Sequence, residues 1–485
     1  MASFLLRLFL LLFTSLISLP YSSPHEQQQQ QQQQLFFPLS HSLANSHNTS
    51  VHHLLKLSAH RSNSRVQRHR RPRQVSLPLT SGSDYTLSLS LPPSPAVPLY
   101  MDTGSDLVWL PCAPFECILC ENKPKPTTPP VSLPPSSRPV PCHSHLCSAA
   151  HSSLPSSDLC AIASCPLDSI ETSSCSSSPC PRFYYAYGDG SLIASLHHAH
   201  VSLSSLLLPN FTFACAHSTL AEPVGVAGFG RGPLSLPAQL ATLHPSLASR
   251  FSYCLVSHSF RPDRLLHPSP LILGRSSSPD TSSLSSSSSS SFVFAPLLHN
   301  PKHPYLYSLA LDSISIGRST IKSPSSLTSI DHRGNGGMAV DSGTTFTMLP
   351  TSMYSSLTDE FQRQMTANGF ARAPEVEAET GLGPCYHYHG GNETKRVPLM
   401  ELHFAGNAKV ALPTRNYFMG WQRELKGVGC LMVMDGGDES EGGPAGTLGN
   451  FQQQGMEVVY DLEDRRIGFA RRHCAALWDS LSRGG

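Results

Sequence analysis

The chain has 485 residues, room for two or three ordinary domains, and a formal net charge of +1 that leaves no electrostatic footprint for nucleic acid. Charged residues make up only 14%, against 42 Pro and 33 Gly, a balance that favours strands and turns over long surface helices. The charge is unevenly placed: residues 1–75 hold eight Lys/Arg and one acid, Glu26, which leaves 26 basic and 32 acidic residues in 76–485, a net of −6.

Residues 1–23 read as a secretory signal: Arg7 supplies the charge, Leu8 to Leu19 the apolar core, and Ser22 and Ser23 a cleavage region. That run is short for a membrane span, and the end of the chain lacks the apolar tail of a lipid-anchor signal. A soluble protein of the secretory route without a stable membrane anchor is expected, with the extracellular space and a vacuole both open. Residues 24–75 read as a leader. It opens on the tract Gln27–Gln34, and His52–Arg71 sets Leu54, Leu55, Leu57 and Val66 among arginines. One reading is a solvated basic tail. The other, favoured by its place between a signal and a strand-rich body, is a pro-segment laid over an acidic cleft until cleavage near Arg68–Arg73.

The body divides into a first lobe, 76–280, a Ser-rich connector, 281–295, and a second lobe, 296–485. Tyr85–Leu91 alternates as a half-buried strand does. Val97-Pro-Leu-Tyr-Met101 then runs into Asp102-Thr103-Gly104-Ser105. Nine of the 14 Cys fall in a Pro- and Ser-rich insert, 112–180, too poor in apolar residues to fold without cross-links. An even count in an exported chain reads as a disulfide set. Cys117-x-x-Cys120 alone would also fit zinc, but no second pair with matching His spacing follows, and no metal is expected. Phe211–Cys215 and Phe251–Val256 read as strands.

The second lobe repeats this plan. Tyr305–Leu311 alternates like Tyr85–Leu91, and Met338-Ala-Val340 leads into Asp341-Ser342-Gly343-Thr344. Thr351–Phe370 has helical spacing at Met353, Leu357, Phe361 and Met365, with Thr351 or Ser352 as N-cap. Val458–Asp461 and Arg466–Phe469 read as a closing hairpin. The whole is an internal duplication of an all-β lobe.

One Asp-Ser/Thr-Gly tripeptide is an ordinary turn. Two, each after an apolar strand and half a chain apart, point to a shared cleft. Two carboxylates about 3 Å apart cannot both ionise cheaply and hold one proton between them. The ionised partner can take a proton from water while the protonated one polarises a carbonyl and later protonates a leaving amine.

These motifs, with Asp102-Thr-Gly-Ser-Asp-Leu-Val-Trp109, Tyr187-Gly-Asp-Gly-Ser191, Gly225-Val-Ala-Gly-Phe-Gly230, Phe251-Ser-Tyr-Cys-Leu255 and Gly446-Thr-Leu-Gly-Asn450, resemble the pepsin-type aspartic proteases, more narrowly the plant nepenthesin-like group. The resemblance covers residues 83–474. It implies a mainly β, bilobal pepsin-like fold with an active-site cleft between two similar β-rich lobes. It also implies an acid-active endopeptidase made as a zymogen, monomeric, acting on polypeptides without a cofactor. Asp102 and Asp341 would be catalytic. Thr103 and Ser342 would cross-brace the two turns, Gly104 and Gly343 would let backbone approach the carboxylates, and Ser105 and Thr344 would donate to their outer oxygens. Tyr187, Gly188 and Asp189 would belong to a hairpin flap over substrate, with Trp109 supporting the tyrosine through its indole N–H.

Departures from the family pattern lie at Leu91–Ala96, at Leu192–Ser195 after the flap, at Cys215-Ala216 and in the insert. They bear on substrate preference rather than on the dyad. Sequons stand at Asn48, Asn210 and Asn392. Two other functions compete: a non-catalytic binding or inhibitor protein on the same scaffold, against which both intact Asp motifs speak, and a wall-associated structural protein, which would show a repeat period that this chain lacks.

Overall fold

The computed structural model describes residues 34–41, 55, 85–121, 123, 126, 128–154, 158–159, 162–163, 165, 178–187, 190–204, 206–248, 250–258, 267–275, 291–387, 396–423, 426–437 and 443–483. The signal, most of the leader, the Ser-rich run 276–290, Gly188, Asp189 and Asn392 lie outside these residues.

The fold is mainly β and bilobal. A sheet of 14 strands runs through the molecule. Its order is Val293–Pro296, Arg466–Arg471, Met456–Asp461, Arg250–Cys254, Ser269–Leu273, Leu35–His41, Tyr85–Leu89, Val97–Asp102, Val226–Gly228, Val108–Ile118, Leu206–Leu220, Ser191–Leu203 and Arg138–Pro139, with Phe183–Ala186 hanging off Ser191–Leu203. The second lobe adds sheets of five, four and three strands. The closing hairpin pairs Val458 with Phe469 and Asp461 with Arg466, as its two apolar runs predict.

The duplication appears in the registers. In the first lobe Val97–Asp102 runs parallel to Val226–Gly228, and Trp109 sits opposite Ala214 on one side and Val226 on the other. In the second, Met338–Val340 runs parallel to Gly446–Leu448, while Thr347 faces Val433 and Met348 faces Thr447. The crossing strands end on equivalent glycines. A Cβ on Gly228 would lie 2.6 Å from the Asp106 carbonyl carbon, and one on Gly449 2.6 Å from that of Phe346. No side chain fits under either turn.

The leader supplies a strand that the sequence did not announce. Leu35–His41 pairs antiparallel with Ser269–Leu273 along one edge, and Ser40 and His41 meet Thr86 and Tyr85 on the other. Its odd positions Phe37, Leu39 and His41 are buried, the alternation expected of a strand with one wet face. The His41 ring stands edge-on to His258, with centroids 4.4 Å apart. Leu55, also from the leader, is buried in a cluster that includes Phe346 and Trp421.

Other expectations need correction. The helix Thr351–Ala367 buries the four predicted apolar residues, but its N-cap is Pro350 and has no side-chain cap. Thr351 is already the first helical residue, one position too late to cap, and its hydroxyl donates to Asp435 at 2.8 Å. Tyr305–Leu311 is not one half-buried strand. Strands form at Ser308–Leu309 and Leu311–Ile316, and the whole run is buried because Tyr307 reaches across to donate to the Phe229 carbonyl at 2.9 Å.

The disulfides Cys112–Cys215, Cys117–Cys120, Cys147–Cys180, Cys254–Cys474 and Cys385–Cys430 are formed, so Cys117-x-x-Cys120 is a cross-link. Cys142 and Cys165 are buried together in one small cluster.

Candidate active site

The two acidic turns meet at the interface of the lobes. Each follows a short buried strand, Val97–Asp102 or Met338–Val340, and each Asp is itself buried. The turns are tied together four times. Thr103 Oγ1 donates to the Val340 carbonyl at 3.0 Å and accepts from Ser342 N–H at 2.9 Å. In the mirror arrangement, Ser342 Oγ donates to the Met101 carbonyl at 2.9 Å and accepts from Thr103 N–H at 3.1 Å. The hydroxyls expected to brace the turns lie where a brace requires them. A threonine and a serine suffice because each hydroxyl both donates and accepts.

Each carboxylate is also held by its own turn. Gly104 N–H donates to Asp102 Oδ1 at 2.9 Å, and Gly343 N–H to Asp341 Oδ1 at 2.7 Å. Thr344 Oγ1 donates to Asp341 Oδ2 at 2.6 Å. The matching bond on the other side is irregular. Ser105 lies close enough to pull the Asp102 pKa down, yet Ser105 Oγ and Asp102 Oδ2 have no hydrogen bond of regular geometry among the described atoms. Gly104 is required by proximity: a Cβ there would lie 2.8 Å from Asp341 Oδ1. That contact shows how close the first turn comes to the second carboxylate.

The carboxyl of Asp102 is raised well above the usual carboxylate range, first by burial and then by the adjacent Asp341 carboxylate. Two carboxyls buried side by side are the arrangement in which one proton can serve both. Beneath it, residues that pattern reading passed over hold the second turn. Asn450 Nδ2 donates to the Ser342 carbonyl at 3.0 Å, and Gln453 Nε2 to the Leu448 and Asp341 carbonyls at 2.8 and 3.4 Å. Tyr253 donates to Gln453 Oε1 and shares a 2.9 Å bond with Tyr460, whose hydroxyl reaches Thr103 Oγ1 at 3.4 Å. Asn450 and Tyr253 stand within two of the quoted motifs, whereas Gln453, in the polar run Gln452–Gln454, and Tyr460 carry no local signal for this contact.

Tyr187 sits above the first turn. Its ring is buried, and its centroid lies 6.4 Å from that of Trp109. Burial and then the Asp102 charge push the phenol up, while the Trp109 indole holds it down. Trp109 Nε1 and the Tyr187 hydroxyl nevertheless make no regular hydrogen bond. The support expected from Trp109 is packing more than a directed N–H bond. Tyr187 N–H donates to the Gly190 carbonyl at 2.7 Å. Asn210 is exposed on the strand Leu206–Leu220. Among the described residues, one cluster has metal-ligand spacing, Cys147, His151 and Cys180, and its two cysteines are joined in a disulfide. No described helix is long and apolar enough to cross a membrane.

Comparison with known proteins agrees with this arrangement. Residues 85–275 match a family model described as xylanase inhibitor N-terminal, and residues 306–471 one described as xylanase inhibitor C-terminal. A protein named as a probable aspartyl protease of Arabidopsis thaliana is 53% identical over 474 residues, covering 92% of this chain and 94% of the relative. Nepenthesin-1 of Nepenthes gracilis, an aspartic proteinase, is 31% identical over 402 residues, covering 81% and 78%. Among solved structures, the crystal structure of edgp shares the fold with a TM-score of 0.61 at 19% identity, covering 92% of this chain and 96% of that one.

Proposed function

Since the chain belongs to the plant pepsin-type aspartic protease family, in its nepenthesin-like group, we propose that it is an aspartic endopeptidase that hydrolyses peptide bonds in acid. The observation that carries the proposal is the pair of buried, adjacent carboxyls, Asp102 and Asp341, with Asp102 raised by burial and by its partner. With one proton shared, the ionised carboxylate draws a proton from water and the resulting hydroxide attacks the peptide carbonyl. The other carboxyl donates its proton to the carbonyl oxygen. Collapse of the tetrahedral diol expels the amine, which takes a proton from one carboxyl while a diol hydroxyl gives its proton back to the other, so the pair returns to its single-proton state. The crossed hydroxyl bonds of Thr103 and Ser342 keep the two acids at working distance, so little reorganisation is needed during the reaction.

In this reading residues 1–23 target the chain to the secretory route and residues 24–75 are removed on activation. The leader's cations favour its lying over an acidic cleft, and Asn210 and Asn392 are glycan acceptors. The mature protein acts as a monomer on extended polypeptides. A leader-free preparation should cut an unfolded polypeptide at about pH 3–6, the range in which such a dyad holds one proton. A statine-type transition-state mimic should block the cleavage, and Asp102→Asn or Asp341→Asn should abolish it.

A second reading is favoured by one specific finding: the two halves match family models described as parts of a xylanase inhibitor. In that case the same scaffold binds another protein without hydrolysing it. Leader-free wild type that binds no statine mimic and cuts no unfolded polypeptide over that range would select this reading.

A further inference from the structure

Asp106 closes the first acidic motif four residues after Asp102, yet the dyad chemistry does not use it. Its carboxylate accepts a hydrogen bond on Oδ1 from the Tyr185 hydroxyl at 3.1 Å. Its Oδ2 lies hard against Gly232, where any Cβ would overlap it, so the carboxylate has a fixed seat. Tyr185 stands edge-on to Tyr187, with ring centroids 5.3 Å apart at 70°. Tyr187 in turn packs on Trp109 and feels the charge of Asp102.

The strand Phe183–Ala186 that carries Tyr185 needs such an anchor. Among the described strands it bonds to one neighbour, Ser191–Leu203, which holds it from one side. Tyr184 beside it is 62% exposed and gives no inward hold. The Tyr187 hydroxyl makes no regular hydrogen bond, so its ring is placed by packing alone. Of the two tyrosines, Tyr185 is the one with a directed polar bond, and that bond ends on the same loop as Asp102.

We infer that Asp106 is a positioning residue for the dyad: through the Tyr185 hydroxyl it sets the ring of Tyr187 over Asp102 and so orients the peptide at the reacting carbonyl. The inference rests on the proteolytic reading. It predicts that the polar pair acts as one unit and that its loss is felt in turnover more than in substrate binding, because a displaced ring misplaces the reacting groups.

The test uses leader-free wild type, Tyr185→Phe, Asp106→Leu, Asp106→Asn and the Tyr185→Phe/Asp106→Leu double variant. Steady-state cleavage of an unfolded polypeptide is measured together with affinity for a statine-type mimic and thermal unfolding. Tyr185→Phe should lower kcat about tenfold, with KM changed less than about twofold, the effect of one lost, partly buried hydrogen bond to a carboxylate expressed in the transition state. The mimic should bind it about tenfold more weakly, with an unfolding midpoint within about 2 °C of wild type. Asp106→Asn keeps an oxygen acceptor of the same reach and should restore kcat to within about twofold of wild type. The double variant should be no worse than the poorer single, the mark of coupled partners.

Wild-type kcat in Tyr185→Phe, or a double variant whose loss is the product of the singles, overturns the assignment while leaving the proteolytic reading intact. Tyr185→Phe removes one oxygen from a partly exposed ring, so a failure of Asp106→Leu to fold leaves that arm decisive. A wild type that neither cuts the polypeptide nor binds the mimic sinks the proteolytic reading and the assignment with it.

Discussion

Replacing Thr103 with Val tests the cross-brace at constant volume. The change puts a methyl where Oγ1 donates to the Val340 carbonyl at 3.0 Å and accepts from Ser342 N–H at 2.9 Å. Both backbone groups are buried, and water does not replace the missing partner without opening the lobe interface. A buried polar group stripped of its partner costs about 1–3 kcal/mol, so the pair should cost about 2–6 kcal/mol. The Tyr460 hydroxyl loses a 3.4 Å contact as well but keeps its bond to Tyr253, so it adds little. Thr103→Ser is the control: it keeps the hydroxyl and loses one buried methyl, worth about 1 kcal/mol. Urea unfolding of the full chain, read as a midpoint shift at unchanged slope, measures both. Thr103→Val should be the less stable of the two by a clear margin. A loss below about 0.5 kcal/mol, the scatter expected of a surface change, would refute the reasoning.

Three further outcomes are expected. The Asp102 carboxyl is raised in the folded state, so its contribution to stability is fully present below its unfolded pKa and is lost as pH rises through the folded one. Asp102→Asn, which cannot ionise, should therefore unfold at a higher temperature than wild type at about pH 7, with the gain vanishing near about pH 3; equal midpoints at both would contradict this. Gly104→Ala places a Cβ 2.8 Å from Asp341 Oδ1, so the carboxylate must give way; kcat should fall about 10- to 100-fold in peptide-cleavage assays. Replacing Cys254 and Cys474 with Ala opens a cross-link spanning 220 residues, between the strand Arg250–Cys254 and the helix Cys474–Arg483, and by loop-closure entropy should cost about 5 kcal/mol in urea unfolding.

The two acidic turns were legible because their pattern is local: a strand, an acid, a hydroxyl residue and a glycine stand side by side in the chain. The strand Leu35–His41 was not. Its neighbours in the sheet are Ser269–Leu273, more than 200 residues on, and Tyr85, and nothing local separates the short apolar stretch Leu35–Leu39 from its surroundings. The helix after Asp341 was placed by its spacing, but its cap was misread because the helix begins one residue earlier than the hydroxyl pattern suggests, at Thr351 behind Pro350. Asn450, Gln453 and Tyr460 reach the turns from more than 100 residues beyond Asp341 or Thr103, and Asp106 meets Tyr185 across 79 residues. Such pairs exist only once the sheet is assembled.

The single-proton dyad is reached most directly by infrared spectroscopy of the leader-free protein as pH is varied. The account predicts a protonated-carboxyl band that persists above the pH at which ordinary aspartates have ionised and is lost or shifted in both Asp102→Asn and Asp341→Asn. A wild-type spectrum in which every carboxyl ionises in the ordinary range, unchanged by either substitution, would contradict it.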